Sequence, residues 1–242
     1  MNIISFSLWG NNPKYTIGAI ENAKLAQEIY PGWLCYYFVD SNVPQNIIDE
    51  LSKFEHVVVN IIEGTNASNG HNNHTAAFWR FLALDSEADI VLIRDTDSRP
   101  SQREKTLVNQ FIFSNKLIHS IKDHPGHLGD KIMAGMWGAK KGAIPNMEDR
   151  INDFLVRTLP HEMIYGIDQR FLGLIYDEFY SQILEHNPFQ SETFNVPRIK
   201  FDFIGQAYDE NNIPNFEYAK ELEELIVHGK CIRSCDKIKY RK

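Results

Sequence analysis

The sequence predicts an α/β fold: one domain built on a mostly parallel sheet with helices on both faces. Runs that are apolar throughout, "NIISFSLW", "WLCYYFVD", "HVVVNII" and "ADIVLIR", alternate with segments of helical spacing. Strands without a polar face need cover on both sides, and parallel sheets have it. Asp40, Asp95 and Asp97 fall where these strands stop, the edge at which open α/β sheets bind ligands. With 242 residues, 43% hydrophobic and 24% charged, the chain can bury one sizeable core.

"NIISFSLW" is a β-rich run ended by the "GNNP" breaker. In "YTIGAIENAKLAQEIY", Ile20, Ala23, Ala26 and Tyr30 recur at helical spacing. "WLCYYFVD" is a second strand, stopped by Asp40. "NVPQNIIDELSKF" has proline near a helix start and Ile47, Leu51 and Phe54 on one face. "HVVVNII" is a third strand, followed by the hydrophilic "EGTNASNGHNNHT", expected to be a mobile loop. "AAFWRFLALDS" reads as a helix with Phe78, Phe81 and Leu82 as its buried stripe, leading into the strand "DIVLIRDTD".

The second half is less regular. "EKTLVNQFIF" reads as a helix, "LIHSIKDHPGH" as a strand entering a histidine-rich loop, and "KIMAGMWGAKKG" as a strand with small residues at its centre. "MEDRINDFLVRT" and "IDQRFLGLIYDEFYSQIL" read as helices, and "IKFDFIGQAYDENN" as a strand and turn. "FEYAKELEELIVHG" is an acidic amphipathic helix with a glycine stop.

A net charge of −7 opposes a nucleic-acid partner, since no positive field covers the molecule. The start of the chain lacks signal-peptide features, and no apolar run approaches the roughly 18 residues of a membrane span. The expectation is a cytosolic protein without a transmembrane segment. Cys35, Cys231 and Cys235 are too few for a disulfide scaffold. The sequons at Asn66 and Asn73 then carry little weight, because glycosylation requires secretion.

Residues i and i+2 of a strand point the same way, so Asp95 and Asp97 project together if strand geometry persists. Two such carboxylates repel unless a cation sits between them or one takes a proton. Mg2+ or Mn2+ answers this with hard oxygen ligands and leaves positions for water and phosphate. One such pair is expected by chance in a chain of this length, and its place after the most apolar strand and the Arg80 helix separates it from a solvated turn.

"FWRFLALDSEADIVLIRDTDSR" resembles the core of nucleotide-sugar glycosyltransferases of the GT-A fold, where an arginine-bearing helix precedes a strand ending in D-x-D. The linked segments "FSLWG", "IKDHPGH", "GMWGAKKG" and "FIGQAYDENN" resemble those of small GT-A-like enzymes of large DNA viruses and bacterial surface-polysaccharide clusters. The resemblance implies a Rossmann-like single domain, with residues 1–100 as a nucleotide-binding half and 101–242 as a less regular sugar and acceptor half. It also implies that Asp95 and Asp97 bind a metal holding the donor diphosphate, that Thr96 lies at the donor, and that Arg80 reaches phosphate or sugar. Asp40 would bind the pyrimidine, with Ser7 and Trp9 beside the nucleoside. Each has a plain structural alternative: Asp40 as a cap, Trp9 as core packing, Arg80 as a partner of the aspartates.

In "HSIKDHPGHLGDKIMAGMWG", D-H-x-x-H lacks the helix of a zinc H-E-x-x-H motif and has no cysteine nearby, so zinc is not expected. By the same resemblance, this loop would face sugar or acceptor, with Asp123 as a catalytic candidate and His124, Gly135, Met136 and Trp137 as sugar contacts; inward packing of Trp137 is the alternative. "IYGIDQRFL" resembles a D-Q segment opening a late GT-A helix. Asp168 would engage the acceptor hydroxyl beside Gln169, as general base if the enzyme inverts or as orienting group if it retains, or it is a helix cap. Gln206 and His228 are the candidates for a further metal ligand.

The expected activity is metal-dependent transfer of a hexose from a nucleotide-diphosphate sugar, a UDP-sugar above others, to a glycan or glycoconjugate hydroxyl. A sugar-phosphate nucleotidylyltransferase would need a glycine-rich basic loop after the first strand, and "SLWGNNPKY" has one glycine and one lysine. A non-catalytic sugar-nucleotide-binding module is the remaining alternative, opposed by the intact Asp95 and Asp97.

Overall fold

The computed structural model describes residues 1–63, 74–158, 165–189 and 202–228. Its strands are β1 (Asn2–Leu8), β2 (Leu34–Asp40), β3 (Val57–Ile62), β4 (Ile90–Arg94), β5 (Ile118–Ile121), β6 (Met136–Lys140) and β7 (Ile183–His186). The α-helices are α1 (Pro13–Ile29), α2 (Gln45–Leu51), α3 (Gln102–Phe113), α4 (Met147–Thr158), α5 (Ile167–Phe179) and α6 (Phe216–His228).

The strands form one sheet in the order β3-β2-β1-β4-β6-β5-β7. β1 pairs in parallel with β2 and β4, β2 with β3, and β5 with β7, whereas β6 runs antiparallel to both its neighbours. The order reverses at β1, which lies between β2 and β4. Such a switch point opens a crevice at the carboxyl ends of the strands.

Alternate residues of the central strands feed two cores, as the two-residue strand period requires. Ile4, Phe6, Leu8, Ile90 and Leu92 pack under Ala19, Ala23, Ile47, Leu51, Val108 and Phe111 of α1, α2 and α3. Ile3, Val91 and Ile93 pack on the opposite side against Phe78, Phe81, Met147, Ile151, Phe171 and Leu172. The sheet is therefore covered on both faces, as its apolar strands require.

Three elements differ from the sequence expectation. "AAFWRFLALDS" lies in a 3-10 helix, His74–Asp85, rather than an α-helix. Arg80 N–H donates to Ser7 Oγ at 2.9 Å, and Ser5 Oγ donates to the Arg80 carbonyl at 2.7 Å. These β1 hydroxyls take up peptide groups that an α-helix would have used internally. "SQIL" leaves the helix and enters β7, which aligns Ile118 with Ile183 and Ile121 with His186. Residues 202–206 form no strand; residues 199–201 of the expected strand lie outside the described residues. So do the "EGTNASNGHNN" segment from residue 64 on, Cys231 and Cys235. Among the described residues, no helix is long and apolar enough to cross a membrane.

Candidate active site

β1 and β4 end side by side, and the chain leaving each of them lines one cleft. Its walls are Ser7, Leu8, Trp9, Tyr15, Arg80, Asp95, Thr96 and Asp97. β4 stops at Arg94, so the two aspartates sit on the turn beyond it rather than on the strand itself. They still converge on one cleft, because the turn is held from behind by α1. Asn22 Nδ2 donates to the carbonyls of Asp95 (3.3 Å) and Thr96 (3.1 Å). A β-carbon on Gly18 would lie 2.2 Å from the Thr96 carbonyl oxygen, so only glycine lets α1 approach this closely.

Arg80 crosses the floor of the cleft and joins two carboxylates from different elements. One guanidinium nitrogen donates to Asp95, and Nη2 donates to Asp168 Oδ2 at 3.0 Å. Burial opposes the guanidinium charge, yet Asp95 and Asp168 outweigh it and raise its pKa further. Asp168 lies in the first turn of α5, where its Oδ1 also accepts from the Gln169 N–H at 3.0 Å. Gln169 turns away to accept a hydrogen bond from Ala134 N–H.

Asp95 packs so tightly on Gly135 that a β-carbon there would meet Asp95 Oδ2 at 1.8 Å. Asp97 faces Lys14, whose Nζ lies 2.6 Å from Asp97 Oδ2. Burial raises the pKa of Asp97, the charge of Asp95 raises it further, and Lys14 pulls against both. Lys14 and Tyr15 are site residues that the sequence reading missed. Both sit on the first turn of α1, which reaches the cleft because α1 packs on the aspartate turn.

Several residues expected at the site do not line this cleft. Asp40 is fully buried at the end of β2, where its Oδ1 accepts from the backbone and side-chain N–H groups of Asn42, both at 2.8 Å; it serves the turn into α2. Asp123 is fully buried, takes both Arg103 guanidinium nitrogens, and accepts from Ile204 N–H at 2.9 Å. In that position Asp123 anchors the 202–206 segment and does not line the cleft. His124 is buried against Phe203; its Nδ1 accepts from Gly126 N–H, which leaves Nε2–H to donate to the Tyr218 carbonyl. Trp137 has no exposed surface and meets Phe81 edge to face, so it offers no platform to a sugar. Met136 is buried beneath Gly205, where a β-carbon would reach its sulfur at 2.0 Å. Gln206 is buried too, its Nε2 3.5 Å from the Asn215 carbonyl, and the side chain of His228 lies outside the described residues.

No protein-family model and no curated protein sequence matches the chain. Solved structures do. An active-site mutant of LgtC superposes with TM-score 0.50 at 11% identity, covering 82% of this chain and 80% of that one. The glycosyltransferase GlyE of Streptococcus pneumoniae gives TM-score 0.50 at 15% identity, covering 76% and 45%. The chain has the GT-A fold. A TarS fragment from S. aureus gives TM-score 0.48 at 16% identity, covering 78% of this chain and 58% of that one; the chain thus spans less than two thirds of TarS and GlyE.

The GT-A cleft of this chain suits a hard divalent cation in its donor set. Asp95 and Asp97 line the same wall, and each is already neutralised by a cationic side chain, Arg80 and Lys14. Among the described residues no third His, Cys, Asp or Glu groups with them. Two carboxylates leave most positions of an Mg2+ or Mn2+ ion to phosphate oxygens and water, which is how Mg2+ is commonly held at nucleotide sites.

Proposed function

We propose that the chain is a metal-dependent glycosyltransferase that moves a hexose from a nucleotide-diphosphate sugar, a UDP-sugar in the first instance, to a hydroxyl of a glycan or glycoconjugate. The observation that carries this is the convergence of Asp95, Asp97 and Arg80 on one cleft at the sheet's switch point. Mg2+ or Mn2+, when bound, supplies charge stabilisation to the leaving diphosphate. Asp95 and Asp97 hold that group. Arg80, fixed between Asp95 and Asp168, presents positive charge where negative charge grows as the glycosidic bond breaks.

Trp9 and Tyr15 are the aromatic surfaces of the cleft and take the nucleoside. Ser7 acts from behind, because its hydroxyl already accepts from Arg80 N–H. Asp168 has one hydrogen bond on each oxygen, and each oxygen keeps a lone pair for a sugar hydroxyl. With Arg80 bound to it, Asp168 is suited to orienting the sugar. Residues 1–100 supply the nucleotide side, and α5 brings the sugar side to it.

A thermal-unfolding panel of nucleotide sugars, with and without Mn2+, tests the proposal. Stabilisation by a UDP-sugar that depends on Mn2+ and disappears in Asp97→Ala is the expected result. Stabilisation by no nucleotide, or stabilisation that survives Asp97→Ala, contradicts it.

A further inference from the structure

Two cations neutralise the aspartates of the cleft, and they are held very differently. Arg80 is 5% exposed and tied to two carboxylates. Lys14 has one carboxylate partner, the cleft residue Asp97, and its side chain is 34% exposed. Its backbone is fixed: Asn12 caps α1 by accepting from Lys14 N–H at 3.0 Å, and Gly18 presses the same helix against Thr96. The ammonium rests 5.1 Å from the centroid of the Tyr15 ring. A lysine is a compact charge on a flexible four-carbon stem, able to exchange one anionic partner for another without moving the backbone.

We propose that Lys14 is an exchangeable resident cation of this site. It occupies Asp97 in the free protein and transfers to the diphosphate when metal and nucleotide enter, which makes the two ligands load together. The inference rests on the cleft being a metal-diphosphate seat and adds to it a residue that couples the two ligands. While Lys14 Nζ stands 2.6 Å from Asp97 Oδ2, a divalent ion approaching Asp97 meets a like charge. A diphosphate removes that obstacle by offering the ammonium a new partner. Metal alone is thereby held weakly, and nucleotide raises metal affinity, with the reciprocal effect required by linkage.

Calorimetric titration of Mn2+ into the full chain, alone and with saturating UDP, tests this in the wild type, Lys14→Met, Lys14→Arg and Asp97→Asn. UDP is expected to tighten Mn2+ binding by the wild type. Lys14→Met should tighten binding of Mn2+ alone by about tenfold, within the usual range of coupling between sites, and shrink the effect of UDP correspondingly. Lys14→Arg should retain the coupling, and Asp97→Asn should lose Mn2+ binding. Lys14→Gln repeats the test if Lys14→Met does not fold. An unchanged affinity for Mn2+ alone, or an unchanged effect of UDP, in the neutral Lys14 variant overturns the inference while leaving the metal-diphosphate seat standing. A wild type that takes up Mn2+ neither alone nor with UDP overturns both.

Discussion

Arg80 shows how one side chain can be both structural partner and site residue. Its guanidinium satisfies Asp95 and Asp168 at once, so removing it strands the buried Asp168 carboxylate and frees the half-exposed Asp95. Arg80→Met should destabilise the fold by on the order of 3 kcal/mol, the usual cost of breaking a buried pair, read as a fall in the urea midpoint. Gly135→Ala should act differently: its methyl needs the space held by Asp95 Oδ2, so Asp95 must swing away. Mn2+-dependent binding of UDP should weaken at least tenfold, with a change in unfolding free energy of about 1 kcal/mol or less in urea if the carboxylate turns aside into solvent. The nearness of Asp95 to Asp97 was legible in the sequence because a short motif after an apolar strand fixes where its residues go; Arg80, on the segment before that strand, was indicated by the resemblance. The surroundings of Asp123, His124 and Trp137 were not legible, since their burial comes from Arg103, Phe203 and Phe81, contacts that no local spacing reveals.

At the scale of elements, the contact between α1 and the aspartate turn positions the site. Asn22→Ala removes one donor each from the Asp95 and Thr96 carbonyls, which keep Ser98 Oγ and Arg99 Nη1 at 3.1 Å, and should cost about 1 kcal/mol, measurable by urea unfolding. The helix itself was readable from its apolar spacing; that its first turn faces the cleft was not, because the packing partner lies some seventy residues away and no local pattern encodes it. β7 escaped for a related reason: its apolar residues continue the stripe of α5, and pairing with β5 decides the matter. That pairing carries a buried histidine relay, with His186 Nε2–H donating to Gln110 Oε1 at 2.9 Å and His119 Nε2–H to His186 Nδ1 at 2.7 Å. Burial lowers the pKa of His186 to about 4; burial, then His186 and Arg94, lower that of His119 well below its ordinary value. Folded values below the unfolded value of 6.5 mean stability that is complete above pH 6.5 and lost as the pH falls toward 4. The loss from His186 should approach about 3 kcal/mol, and the slope of urea stability between pH 7 and 4.5 should flatten in His186→Gln.

For the whole molecule, the alternation of apolar strands with helices led directly to a three-layer sheet covered on both faces, and the observed order β3-β2-β1-β4-β6-β5-β7 sets its crevice beside the D-x-D turn. The reversed direction of β6 was not readable, because a buried strand is apolar in either direction. A ligand that binds only the folded state stabilises it by mass action, so a metal-nucleotide complex should raise the unfolding temperature with its concentration. Binding alone would also suit a non-catalytic module of the same fold, and turnover separates the two. The decisive measurement is the release of UDP from UDP-hexoses by the wild type and by Asp97→Asn, with Mn2+ and with chelator. Slow Mn2+-dependent release from at least one donor, abolished by chelator and by Asp97→Asn, is the predicted result; release from no donor, or release indifferent to both metal and Asp97, would contradict the assignment of this cleft to glycosyl transfer.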